Sequence, residues 1–89
     1  MKKHVKVYMD YFGYDESDFI PSELSGENAV DIHHVSHGRR KKDNSIENLI
    51  ALTRREHDRA HFKTEPFLHP EQLKEFHRAF MKLGKGNRL

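Results

Sequence analysis

Two pairs of histidines carry the chemistry of this chain: His33 and His34 stand side by side in DIHHV (31–35), and His57 and His61 stand four apart in EHDRAH (56–61). Residues four apart share one side of a helix, so His57 and His61 can grip a single ion. Two titratable rings in a strand-like segment need partners, because burying either unpaired is costly. His33 supplies a third imidazole to the pair. Three protein ligands leave open positions for water and substrate, whereas structural zinc sites are closed by four. His34 cannot point the same way as His33 on a regular strand, so it stays outside that ligand set. There are no cysteines, so a metal must sit on histidine, carboxylate or amide. Three imidazoles suit Zn²⁺, Ni²⁺, Co²⁺ or Mn²⁺, while Mg²⁺ prefers oxygen, and the identity of the one divalent ion stays open among these five.

Other polar residues near the histidines have competing readings. Asp31 shares a strand face with His33 and either orients a ligand ring or is a surface carboxylate. His37 reads as a surface loop residue ahead of an auxiliary ligand. His4, His69 and His77 read as solvent-facing. Net charge is only +2, but residues 1–30 hold three lysines and six acids, while 31–89 hold thirteen Lys/Arg and eight acids. The densest basic run is Arg39-Arg40-Lys41-Lys42, with arginines at 54, 55 and 59 beyond it. Alone such a run is a solvated surface. Beside the histidines it points to a polyanion, with nucleic acid foremost.

The elements that must position these residues are short. Eighty-nine residues allow one small domain with little core to spare, at 35% hydrophobic and 34% charged residues. Val5, Tyr8, Met9 and Phe12 predict a helix ending at Gly13, although Val5, Val7, Met9 and Tyr11 would also suit a strand. A strand over about 29–35, a polar basic loop over 36–45 and a second apolar run over 48–52 predict an antiparallel hairpin. Thr53-Arg54-Arg55-Glu56 fits a capping box, so a helix should start at Thr53 and run through His61 toward Lys63. Pro70 suits the first turn of a helix over about 70–83, with Leu73, Phe76, Phe80 and Leu83 as one apolar stripe ending at Gly84. The fold class read from this order is α+β, a two-stranded hairpin plus helix flanked by N- and C-terminal helices. No run approaches the ~20 apolar residues of a membrane span, and Met1-Lys2-Lys3 leads into no signal-peptide core, so the chain reads as soluble, cytoplasmic and without a membrane partner.

The span AVDIHHVSHGRRKKDNSIENLIALTRREHDRAHF (29–62) resembles the His-Asn-His (HNH) endonucleases with their ββα-metal fold, with every element in order. The flank YFGYDESDFIP (11–21) also looks like small phage-type members of that group. The resemblance implies one nuclease domain over 1–89, its core at about 29–63. It implies His34 as general base, His33, His57 and His61 as metal ligands, and Asn48 tying the loop that holds His34. It further implies hydrolysis of DNA phosphodiester bonds leaving a 5′-phosphate, in a phage or prokaryotic setting where packaging or replication proteins supply specificity. One site per chain leaves nicking and double-strand cleavage both open, since duplex cleavage needs two chains, as in a homodimer, or two encounters. The rival reading is a non-catalytic, metal-stabilised nucleic-acid-binding module, and RNA is the alternative substrate. One departure stands out: many relatives carry two Cys-x-x-Cys zinc pairs, and the corresponding places here read Ser22-Glu23-Leu24-Ser25 and Thr53-Arg54-Arg55-Glu56.

Overall fold

The computed structural model describes residues 2–36 and 43–87, with side chains as far as Leu83. The order of elements is α1 (Lys3–Phe12), β1 (Asp31–His34), a single 3-10 turn (Ile46–Asn48), β2 (Leu49–Leu52), α2 (Arg54–Ala60) and α3 (Pro70–Asn87). This is the α+β hairpin-and-helix architecture expected from the sequence. α1 stops at Gly13, whose φ of 76° is a left-handed conformation glycine adopts without penalty.

β1 and β2 pair antiparallel, with Asp31 opposite Leu52, Ile32 opposite Ala51, His33 opposite Ile50 and His34 opposite Leu49. β1 is shorter than the run from 29 to 35, because Ala29 donates to Ile20 O instead of to β2. Val30 N still donates to Leu52 O, and Val35 N to Asn48 O, so the ladder continues one residue beyond each end.

All four β2 residues are buried, and alternation sends them into two clusters. Ile50 and Leu52 pack with Val35, Leu68 and Leu73, whereas Leu49 and Ala51 pack with Tyr8 and Phe12, against which Ile32 and Phe80 also lie. Residues directly opposite on a hairpin share a face. His34 therefore lies on the α1 side with Leu49, and His33 and Asp31 lie on the other side with Ile50 and Leu52.

α2 opens with the expected capping box: Glu56 N donates to Thr53 Oγ1 at 3.1 Å, and Thr53 N donates to Glu56 Oε1 at 2.9 Å. Ser22 Oγ also donates to Glu56 Oε1 and accepts from Ser25 N at 3.3 Å. The four positions where the resembling family places thiols thus meet in one hydrogen-bonded knot. Burial works to raise the Glu56 pKa, but the hydroxyl and amide donors outweigh it and hold the carboxyl below its usual range.

Two helix expectations need correction. α2 ends at Ala60 rather than near Lys63, because Phe62 takes a left-handed φ of 60° and the turn closes with Phe62 N on Arg59 O and Lys63 N on Asp58 O. That paired closure is a Schellman end with phenylalanine at the position glycine usually fills. α3 continues past Gly84, and its inward face is Leu73, His77, Phe80 and Met81. Phe76 (43% exposed) and Leu83 (67%) point outward. The face is rotated because His77 is buried at 2% exposure, where Nδ1 meets Glu23 Oε1 at 2.8 Å and Nε2 donates to Ile46 O at 2.7 Å. The expectation of a solvent-facing His77 is overturned by these two hydrogen bonds. No described helix is long and apolar enough to cross a membrane.

Candidate metal centre

β1 and α2 bring three of the four histidines together: His33, His57 and His61 each offer a ring nitrogen, and these nitrogens lie within 4.8 Å of one another. The rings stand edge to face, with centroids 5.1 Å apart for His33–His57 and His33–His61 and 4.5 Å for His57–His61. His61 is the residue just past the end of α2, yet its N–H still reaches His57 O at 3.0 Å, so the i,i+4 relation survives the early stop.

The donor set fits a cation. Nε2 of His57 and Nε2 of His61 face each other at 3.1 Å. Tetrahedral ligands with bonds of about 2.0–2.1 Å sit about 3.3 Å apart, so this spacing suits two nitrogens on one ion. On the far edge of the His57 ring, Nδ1 lies 3.3 Å from Asp31 Oδ2. That oxygen is buried, has no hydrogen-bond partner among the described residues, and lies 3.8 Å from Arg54 Nη1. A carboxylate behind the outer nitrogen of a ligating histidine favours the tautomer that turns the other lone pair toward a metal. Burial lowers the His57 pKa, with His61 and Arg54 adding to the effect against the opposing pull of Asp31, and this favours the neutral, ligating ring.

Exposure grades across the centre: His33 is buried, His57 half-buried and His61 exposed. The cavity in front of it, about 240 Å³, is lined by these three with Lys2, His4, Asp31, Ile32 and His34. His34 is buried but lies outside the cluster, as strand alternation requires. Its Nε2 is 2.8 Å from Asn44 Oδ1, and the His4 ring rests against its face with centroids 4.5 Å apart. His4 is half-buried rather than solvent-facing, because the face of β1 that carries His34 is the face α1 covers.

Asn48 is buried in the turn before β2 and ties both ends of the connecting loop. Its Oδ1 accepts from Ser36 N at 2.9 Å and Ser36 Oγ at 3.1 Å, while Nδ2 donates to Ser36 O at 2.9 Å and Asp43 O at 2.8 Å. Arg39, Arg40, Lys41, Lys42 and His37 lie outside the described residues. Asn44 and His4 were missed by sequence reasoning. Asn44 carries the weak signal of standing in a DNS turn just before the 3-10 turn, and His4 carries none beyond its place at the start of α1. Comparison of the chain with family models, curated proteins and solved structures finds no match.

Proposed function

We propose that this protein is a metal-dependent endonuclease that hydrolyses DNA phosphodiester bonds, with His33, His57 and His61 holding one divalent ion and His34 as general base. The observation that carries the reading is the division of labour among adjacent histidines. His33 turns into a three-imidazole cluster, while His34, buried on the opposite strand face, lines the same cavity without joining it. A purely structural metal site gains nothing from that fourth ring.

A neutral imidazole can accept a proton from water as a general base. His34 takes that proton as the water oxygen bonds to phosphorus and the bond to the 3′ oxygen breaks, leaving a 5′-phosphate. When bound, the divalent ion supplies Lewis-acid stabilisation of charge on the phosphate and the departing oxygen. Asp31 holds His57 in its ligating orientation, and Asn48 holds the loop beside His34. The exposed His61 side of the centre gives a polymeric substrate access without a deep pocket. Arg39 to Lys42 are assigned to the DNA backbone.

The test is nicking of supercoiled plasmid across Zn²⁺, Ni²⁺, Co²⁺, Mn²⁺ and Mg²⁺ with a chelator control, run beside His34→Ala and calorimetric metal titration. The expected result is metal-dependent nicking that His34→Ala abolishes with metal affinity nearly intact. Nicking retained by His34→Ala, or absent with every metal, overturns the reading. Loss of metal binding in His34→Ala would make it a ligand instead.

A further inference from the structure

The hydrogen bond between His34 Nε2 and Asn44 Oδ1, 2.8 Å long, has chemical content beyond holding a ring in place. An amide oxygen only accepts, so the hydrogen shared here belongs to Nε2. The lone pair of the neutral ring then sits on Nδ1. Asn44 lies in the segment between β1 and the 3-10 turn, so the Nε2 edge is turned to that segment.

Asn44 is itself held from both sides. Asp43 O accepts from Asn48 Nδ2 at 2.8 Å, Asp43 Oδ1 accepts from Ser45 N at 2.9 Å, and Asn48 N donates to Ser45 O at 2.9 Å. The residues flanking Asn44 are thus pinned by Asn48 and by the turn that contains it. Asn48 makes no hydrogen bond to the His34 side chain among those of the described residues; its path to that ring runs through the neighbour of Asp43.

We infer that Asn44 is a positioning residue of the centre: it holds His34 as the Nε2–H tautomer so that Nδ1 is the proton-accepting nitrogen, and Asn48 acts on His34 through it. The assignment of a catalytic task to that nitrogen rests on the nuclease reading. The tautomer itself does not.

Imidazole nitrogen–proton correlation spectra of the isotope-labelled full chain at about pH 8, above the ordinary imidazole range, test the tautomer directly, with His34 identified by its absence from His34→Ala. The expected wild-type signal is a bonded proton on Nε2, lost to exchange in Asn44→Leu and kept in Asn44→Asp, whose carboxylate can only accept. In plasmid nicking, Asn44→Leu should lose about tenfold or more in kcat with KM and metal affinity unchanged. Asn44→Asp should restore the rate, and Asn44→Leu with Asn48→Ala should cost less than the sum of the two. A wild-type proton on Nδ1 overturns the inference without reference to any variant. So does wild-type nicking by Asn44→Leu, or failure of Asn44→Asp to rescue. A wild-type chain that shows the Nε2 proton yet fails to nick with every metal overturns the nuclease reading and leaves the tautomer assignment standing.

Discussion

His77 Nδ1 meets Glu23 Oε1 at 2.8 Å with both side chains buried, and the other carboxylate oxygen accepts from Tyr8 Oη at 2.6 Å. Through His77 Nε2 and Ile46 O the same group reaches the turn that carries Asn48. Three elements distant in sequence, α1, α3 and the approach to β2, are therefore joined by one buried proton-sharing group. Burial and the Glu23 charge push the Tyr8 hydroxyl far up, so it stays a donor throughout the accessible pH range.

This group makes stability depend on pH in a defined direction. Burial pulls the His77 pKa down, but the Glu23 hydrogen bond and charge more than reverse it and leave it above the ordinary imidazole value. A raised folded pKa contributes stability that is complete below about 6.5 and is lost as pH rises through the folded value. Denaturant unfolding on the alkaline side of that value should show a falling midpoint, and His77→Leu should flatten the fall. Glu23→Ala, which strands two polar partners in the core, should cost about 3–5 kcal/mol.

Removing metal should leave the chain folded. No thiolate site exists, and the core clusters on both faces of the hairpin contain none of the three clustered histidines. Circular dichroism after chelation should keep its helical spectrum. Adding metal at a hundred times its Kd should stabilise by about 2.7 kcal/mol through linkage alone. A disordered spectrum after chelation would make the histidine centre structural.

Asp31→Ala should weaken metal binding by about 10- to 100-fold, because the carboxylate that favours the His57 tautomer turning Nε2 to the ion is removed. Calorimetric titration of wild-type and variant chains measures it. The fold should be unaffected, since Asp31 belongs to neither core cluster.

His4→Ala should slow nicking while sparing metal affinity, as the ring against His34 is removed and the ion's ligands are not. His4→Phe distinguishes packing from proton chemistry. Recovery of the rate by phenylalanine means that His4 acts as a wall for the His34 ring, and continued impairment means that its nitrogens take part.

Replacing Arg39, Arg40, Lys41 and Lys42 with alanine should weaken DNA binding uniformly across sequences and leave metal affinity unchanged. For every phosphate that the variant no longer neutralises, the slope of log affinity against log salt should become shallower by about one. An unchanged slope would move the DNA-facing surface to Arg54, Arg55 and Arg59.

Local signals were legible where backbone chemistry is local. Thr53 and Glu56 announce a capping box, Gly13 a helix end, and DIHHV opposite NLIAL a hairpin, and each forms as read. The histidine cluster was legible because His57 and His61 are neighbours along one turn. What periodicity could not show was which way α3 faces. Leu73, Phe76, Phe80 and Leu83 form a stripe in sequence, but a buried histidine held by Glu23, which no pattern of apolar residues reveals, turns the helix so that Phe76 and Leu83 are outside. Asn44 and His4 were hidden for a related reason: their contacts with His34 depend on the hairpin face on which that ring lies, a tertiary fact.

The knot of Ser22, Thr53 and Glu56 changes what this small fold is vulnerable to. A thiolate clasp in the same place would be open to oxidants and to loss of zinc, and it would compete with the histidines in any metal titration. A hydroxyl–carboxylate clasp is indifferent to all three, so metal uptake should follow a single-site isotherm and handling in air should do no harm. Its weakness is acid instead. The Glu56 carboxyl is held below its usual range, so its contribution is present above about pH 4.5 and drains away as pH falls through the folded value. With His77 weakening from the alkaline side, the stability of this fold is confined to a bounded pH range, limited at each end by one buried side chain.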